Sequence, residues 1–153
     1  MFRLDNKTAI ITGAGSGIGK AIATLFAKQG ANVQVLDMDE AGGKATVAAI
    51  ESEGGKATYH HCDVSRQEVV KSIVDSIIAS TKSIDILVNN AGIAHVGNAE
   101  NTSEKDFDRM MTVNVKGVYN CLHLSIPHMK EKGGVILNLA SVAASVGIPD
   151  RFA

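Results

Sequence analysis

A glycine-rich turn between a β-branched run and an amphipathic stretch constrains this chain more than any other feature. Thr8-Ala9-Ile10-Ile11 reads as a short strand that runs into Thr12-Gly13-Ala14-Gly15-Ser16-Gly17-Ile18-Gly19. Ile18, Ile22, Leu25 and Phe26 then recur at helical spacing through Gln29, and Gly30 closes the helix. Residues without a Cβ let a strand turn sharply into a helix and let a ligand approach the backbone. The helix points its unpaired N–H groups and positive dipole end back at that turn, which suits a pyrophosphate. The alternative is a turn that is merely tight.

Two phosphate-loop templates fail here. G-x-x-x-x-G-K-[ST] on Gly19-Lys20 needs a glycine at 14 and a hydroxyl at 21, where Ala14 and Ala21 stand. G-x-G-x-x-G counted from Gly13 ends on Ile18. The pattern that fits is T-G-x-x-x-G-x-G, through Thr12, Gly13, Gly17 and Gly19.

The same alternation continues down the chain. Val33-Gln34-Val35-Leu36 predicts a second strand, followed by Asp37, and Glu40 to Glu53 a helix stopped by Gly54-Gly55. Lys56 to Cys62 reads as a more polar third strand. Ser65 with Glu68 forms the pattern of a capping box for a helix to about Thr81. Ile84 to Val88 is a fourth strand. Ser103 with Asp106 starts a helical stretch to about Lys132, with a break near Asn114, and Val135 to Leu139 is a fifth strand, apolar on both faces. Strand and helix in regular alternation predict a parallel sheet covered on both sides: an α/β, doubly wound, Rossmann-like three-layer α/β/α fold. Residues 1–153 are expected to form a single NAD(P)-binding domain of this kind.

Composition narrows the function classes. With 45% hydrophobic and 20% charged residues, the chain is not of the disordered class. A formal net charge of −1 argues against a nucleic-acid partner bound through phosphate neutralisation. No apolar run approaches the ~18 residues of a membrane span. Arg3, Asp5 and Lys7 stand where a signal peptide needs apolar residues, so a cytoplasmic location is expected. Cys62 and Cys121 form neither a disulfide framework nor a metal motif and are read as reduced thiols. His60 and His61 are neighbours on a strand, so their side chains point to opposite faces, and no metal is expected. His95 either lines a cleft at the strand ends or is an exposed loop residue.

Asp37 sharpens the reading of the glycine turn. It ends the second strand, where an acidic residue binds the ribose hydroxyls of NAD. A carboxylate there repels the 2′-phosphate of NADP. No Arg or Lys lies in the glycine loop and Met38 follows, so NAD is favoured over NADP. The alternative is a solvated turn aspartate.

Taken together, these motifs resemble the short-chain dehydrogenase/reductase family. The matches are Thr12-Gly-x-x-x-Gly-x-Gly19, Asp63-Val64, Asn89-Asn90-Ala91-Gly92, Asn114 in Val113-Asn114-Val115, and Ser141 in Asn138-Leu139-Ala140-Ser141. Each is weak alone; in this order, each at an expected sheet edge, they are specific. The resemblance implies cofactor contacts at Gly13, Ser16, Gly17, Ile18, Gly19 and Asp37. It implies that Asp63 holds the adenine amino group, with Val64 against the ring. Asn90 would meet a cofactor ribose through its backbone, and Ala91 and Gly92 would let the cofactor lie close. Ser141 resembles the hydroxyl that bonds the substrate oxygen, and Asn114 the residue whose carbonyl holds a relay water. Their alternatives are an N-cap serine and a polar helix kink.

The family's acid/base pair, Tyr-x-x-x-Lys, does not occur in the sequence. Four residues after Tyr59 and Tyr119 stand Asp63 and His123. A tyrosine of ordinary pKa ~10 is a poor base at neutral pH without a lysine beside it. The chain is therefore expected to be a fragment of a longer enzyme, truncated on its C-terminal side and inactive alone. The long helix from Ser103 resembles the element that family members use in subunit contacts, so a homo-oligomer (dimer or tetramer) is expected of the full length. The implied activity is NAD-dependent interconversion of a secondary alcohol and a ketone. Its substrates would be small molecules such as polyols, hydroxysteroids or 3-hydroxyacyl groups. The second reading is a non-catalytic dinucleotide-binding module.

Overall fold

The structure is a computed structural model that describes residues 2–152; Met1 and Ala153 lie outside the described residues. Its elements run β1 (Thr8–Thr12), α1 (Gly17–Lys28), β2 (Asn32–Asp37), α2 (Glu40–Ser52), β3 (Lys56–His61), α3 (Gln67–Thr81) and β4 (Ile86–Asn89). Then come α4 (Glu104–Met111), a π-helical turn (Thr112–Lys116), α5 (Gly117–Met129), β5 (Val135–Asn138) and a 3₁₀ turn (Val142–Ala144). The strands form one parallel sheet in the order β3-β2-β1-β4-β5. This is the doubly wound, Rossmann-like three-layer fold that the alternating pattern predicts.

Two cores follow from the twofold alternation of side chains along each strand. Ala9, Ile11, Val33, Val35, Ile86 and Val88 face α1 and α2, meeting Ala23, Ala27 and Ile50. Ile10, Leu36 and Leu87 face the other way, onto Val70, Ile73, Val74 and Ile77 of α3 and Cys121 and Met129 of α5. The central strands are therefore largely apolar on both faces, with Gln34 a buried polar residue of β2 that bonds His60. Small residues on α1 let it lie close to the sheet.

The chain leaves β1 in one direction, builds β2 and β3, then crosses back to β4 and β5. Neighbouring β1 and β4 thus send their connections to opposite sides. A crevice opens beyond their carboxyl ends, at the switch point of the sheet. β5 pairs with β4 and forms the sheet's edge, where Val135 and Leu137 are 54% and 43% exposed.

Two local expectations are corrected. The Ser65–Glu68 capping box does not form. Ser65 donates its hydroxyl to Asp63 Oδ1 at 2.6 Å, Glu68 pairs with Arg66 at 2.8 Å, and α3 starts at Gln67. A carboxylate two residues away is a stronger partner for the hydroxyl than a helix N–H. The fourth strand runs from Ile86 rather than Ile84; Asp85 just before it bonds the Thr8 carbonyl and accepts the Val135 N–H through its backbone, and its carboxylate accepts the Thr8 N–H at 2.9 Å and Lys7 Nζ at 3.0 Å. The break expected near Asn114 is the π-helical turn, closed by the Gly117 N–H bonding the Thr112 carbonyl.

Candidate functional site

Thr12 organises the switch point. Its hydroxyl donates to the Val88 carbonyl at 3.3 Å and accepts the N–H groups of Asn90 and Ala91, each at 3.0 Å. Asn90 answers with its side chain, donating to the carbonyls of Thr12 at 2.9 Å and Gly13 at 3.1 Å. The turn after β4 is thereby bolted to the glycine turn after β1. Gly13 lies at φ +65° and leaves a Cβ only 2.9 Å from the Ala91 backbone.

The glycine turn is held from the other side by α2 and β2. The Gly15 N–H donates to Asp37 Oδ2 at 2.7 Å, and the Asp39 N–H donates to Asp37 Oδ1 at 2.8 Å. Fully buried Thr46 donates to the carbonyls of Gly42 at 3.0 Å and Gly15 at 3.4 Å. The Tyr59 hydroxyl donates to the Asp37 carbonyl at 3.1 Å. Burial first, and then the carboxylates of Glu40, Asp37 and Asp39, hold the Tyr59 phenol above its usual range. This corner is negative. Its nearby cation, Lys44, is paired with Glu40 at 2.6 Å.

These contacts surround a cleft of about 410 Å³. Its walls include Gly13, Ser16, Gly17, Ile18, Asp37, Asp63, Val64, Asn90, Ala91 and Gly92, together with Met38, Cys62, Ile93 and Val113. The structure therefore brings every expected cofactor residue except Gly19 to one surface. Gly19 packs behind the turn instead. A Cβ there would collide with the Gly13 carbonyl and stand 2.5 Å from Asn90 Nδ2, so α1 approaches the turn only because residue 19 has no side chain. At Gly17, by contrast, a Cβ would meet nothing within 4 Å. The first turn of α1 has no acidic residue to oppose an anion.

Asn114 and Ser141 do not line this cleft. Asn114 accepts the Ile93 N–H with Oδ1 and donates to the Ile93 carbonyl with Nδ2, both at 2.9 Å. It clamps the chain just after Gly92. Ser141 is exposed and accepts the Ala143 N–H at 3.2 Å, capping the 3₁₀ turn. His60 bonds Gln34 at 2.9 Å and His61 bonds Tyr59 at 3.2 Å, so the paired histidines have separate partners. Among the described residues, no group of three or more His, Cys, Asp or Glu is placed to hold a metal. No helix among the described residues is long and apolar enough to cross a membrane. His95 is half-buried in the loop after β4, and its carbonyl accepts from Arg151 at 3.2 Å.

Three residues shape the site in ways that the motifs do not show. Thr12 was visible only as a motif letter, although a hydroxyl at a strand's end is a ready acceptor for the next turn. Ser65 occupies one oxygen of Asp63 through both its N–H at 3.0 Å and its hydroxyl. The spacing Asp63-x-Ser65 is a recognisable Asx-turn pattern. Asn120 reaches the Val64 carbonyl from α5 at 2.8 Å, across 56 positions, and has no local signal.

Comparison with known proteins agrees with this geometry. The sequence model described as "short chain dehydrogenase" matches residues 7–153. An uncharacterized oxidoreductase of Thermotoga maritima is 47% identical over 148 residues, covering 96% of this chain and 58% of that protein. Among solved structures, a 7α-hydroxysteroid dehydrogenase complexed with NADH and 7-oxo glycochenodeoxycholic acid superposes with a TM-score of 0.92 at 38% identity. An NAD⁺-bound xylitol dehydrogenase superposes with a TM-score of 0.93 at 33% identity. Each comparison covers 97% of this chain and 58% of the solved one. The chain thus spans somewhat over half the length of the proteins it matches.

Proposed function

The chain belongs to the short-chain dehydrogenase family, and from that premise we propose that it supplies the cofactor-binding domain, residues 1–153, of an NAD-dependent oxidoreductase. The full-length reaction would interconvert a secondary alcohol and a ketone on a small molecule. The observation that carries this reading is the gathering of Gly13, Ser16, Gly17, Ile18, Asp37, Asp63, Val64, Asn90, Ala91 and Gly92 on one cleft. The residues fit a dinucleotide. Gly17 leaves open space at the start of α1, and a carboxylate stands at the end of β2 and another after β3. NAD, when bound, supplies the hydride acceptor or donor.

The chain's own residues bind and orient. The Gly13–Gly17 turn and the α1 N-terminus would receive the pyrophosphate, Asp37 the ribose hydroxyls, and Asp63 and Val64 the adenine. Asn90, Ala91 and Gly92 would border the second ribose and the nicotinamide. Ser141 would hold the substrate oxygen, and the Asn114 carbonyl a water. The sequence contains no Tyr-x-x-x-Lys, so none of its residues is assigned the proton transfer. NAD is favoured over NADP because Asp37, Asp39 and Glu40 make the ribose corner negative and Lys44 is engaged by Glu40. Solved neighbours carry NADH and NAD⁺.

Three wider expectations belong to the same reading. Phe107, Met111, Val115 and Tyr119 are large exposed apolar residues recurring every fourth position along α4, the π turn and α5, a stripe suited to a second copy of the chain. The free, buried Cys62 and Cys121 suit a reducing, cytoplasmic setting. A non-catalytic dinucleotide-binding module is not favoured, since the similar proteins are oxidoreductases.

Titration with NADH and NADPH tests the proposal. Binding is read from the fluorescence of the reduced nicotinamide itself. Enhancement that saturates with NADH at lower concentration than with NADPH is expected. No saturable binding of either would overturn the reading. An NAD-coupled screen of polyols and hydroxysteroids then addresses the full-length activity.

A further inference from the structure

Asn120 is fully buried, yet the reaction proposed above does not use it. It stands in α5 beside Cys121, in the layer that covers the sheet. An amide in such a place is unfavourable unless its donor and acceptor are both engaged. Its Nδ2 donates to the Val64 carbonyl at 2.8 Å, and its Oδ1 accepts from Gln67 Nε2 at 3.3 Å. Val64 is a wall of the cleft, and its backbone belongs to the short link between β3 and α3 that carries Asp63.

A second contact comes from the same helix. Gly117 lies one turn before Asn120, and a Cβ there would stand 2.7 Å from Val64 Cγ2. The helix therefore holds the Val64 carbonyl with one residue and leaves room for its side chain with another. From the other side, Ser65 fixes one oxygen of Asp63. The link is irregular in conformation, and these cross-connections define where its side chains stand.

We propose that Asn120 is a positioning residue for the adenine end of the cleft, holding Val64 and Asp63 as the wall against which a purine lies. The proposal rests on the dinucleotide reading above. Gln67, at the start of α3, completes it by orienting the Asn120 amide. Its acceptance at Oδ1 leaves Nδ2 turned toward Val64. α5 begins where the π turn bearing Asn114 ends, so one helix is tied to the adenine end of the cleft and continuous with the clamp on Ile93.

The test compares NADH with reduced nicotinamide mononucleotide, which lacks the adenosine half. Asn120→Leu keeps the branched shape and the number of heavy atoms and removes both hydrogen bonds. It is expected to weaken NADH roughly tenfold, the scale of one buried hydrogen bond, while the mononucleotide changes less than about twofold. Gln67→Ala touches only the supporting bond. It is expected to shift NADH in the same direction by about two- to fivefold, and it decides the matter should Asn120→Leu not fold. A loss shared equally by both ligands, or unchanged NADH affinity in the variants, would overturn the positioning role. If the unaltered protein binds the mononucleotide as tightly as NADH, the adenine wall itself falls. If it binds neither, the dinucleotide reading falls first.

Discussion

Asp37 and Gly15 are joined by a 2.7 Å hydrogen bond from the glycine N–H to a carboxylate oxygen. The residue expected to select the cofactor therefore also braces the turn that would hold its phosphates. The Asp39 N–H engages the other oxygen, so the whole carboxylate is oriented by backbone. Charge and hydrogen-bond acceptance at this position are separable. Asp37→Asn keeps an acceptor for Gly15, gives up the one for Asp39 and removes the charge. It is expected to move the NADPH-to-NADH affinity ratio roughly tenfold toward NADPH and to lower thermal stability less than Asp37→Ala does. Asp37→Ala removes both and is expected to weaken NADH as well and to lower the melting temperature. Identical behaviour of the two variants in paired titrations would show that the brace is unimportant.

Gly17 and Gly19 are equivalent letters of one motif with opposite consequences. Gly19→Ala drives a methyl group into the Gly13 carbonyl and the Asn90 amide, and is expected to cost about 1–3 kcal/mol or more in urea unfolding. Gly17→Ala meets open space, and its cost is that of a side chain at φ +53°, about 1–2 kcal/mol. Gly17 also lines the cleft, so the larger effect of this substitution is expected on NADH affinity. Equal stability losses with unchanged binding would contradict this division.

His60 makes stability depend on pH. Burial holds its imidazolium below the usual pKa of 6.5. The unfolded chain takes up a proton as pH falls through 6.5, while the folded chain resists it until lower pH. Stability is therefore full above 6.5 and declines below it, the unfolded state binding more protons in that window. Unfolding midpoints measured between pH 7.5 and 5.5 should fall in the native protein. The slope should flatten in His60→Gln, and an unaltered slope would assign the dependence to other groups.

Cys62 and Cys121 are both pushed up to about 12, chiefly by burial. The reactive form of a thiol is the thiolate, so both side chains should be inert in the native state. Iodoacetamide at pH 8 is expected to leave the folded protein unlabelled, by intact mass, for a period in which the urea-unfolded chain gains two labels. Rapid labelling of the native protein would mean that the layer between β3 and α5 opens readily.

Much of the fold was legible because strand and helix periods are local. Ala9, Ile10, Ile11, Val33, Val35 and Leu36 are buried apolar strand residues, and Ile18, Ile22, Leu25 and Phe26 carry the helical period, although the residues that α1 buries are Gly19, Ala23 and Ala27. The break near Asn114 was visible as polarity inside an amphipathic run. Its character, a π turn, was not, because a five-residue hydrogen bond leaves no composition signal. The Ser65–Glu68 box failed because two local partners competed for one hydroxyl, and only geometry shows that Asp63 wins.

The sequence by itself determined the order of the elements and the glycine turn, since these depend on short-range sterics and on the alternation of side chains, while the residues expected around that turn followed from the resemblance to a family. Only the tertiary structure decided how those residues divide their labour. Gly19 packs rather than lines the cleft, Asn90 turns its side chain onto the glycine turn, Asn114 clamps Ile93, and Asn120 reaches Val64 from a helix far along the chain. Each is a contact between distant segments brought together by the crossover of the sheet, and a hydrogen bond of that kind exists only once both partners have been placed.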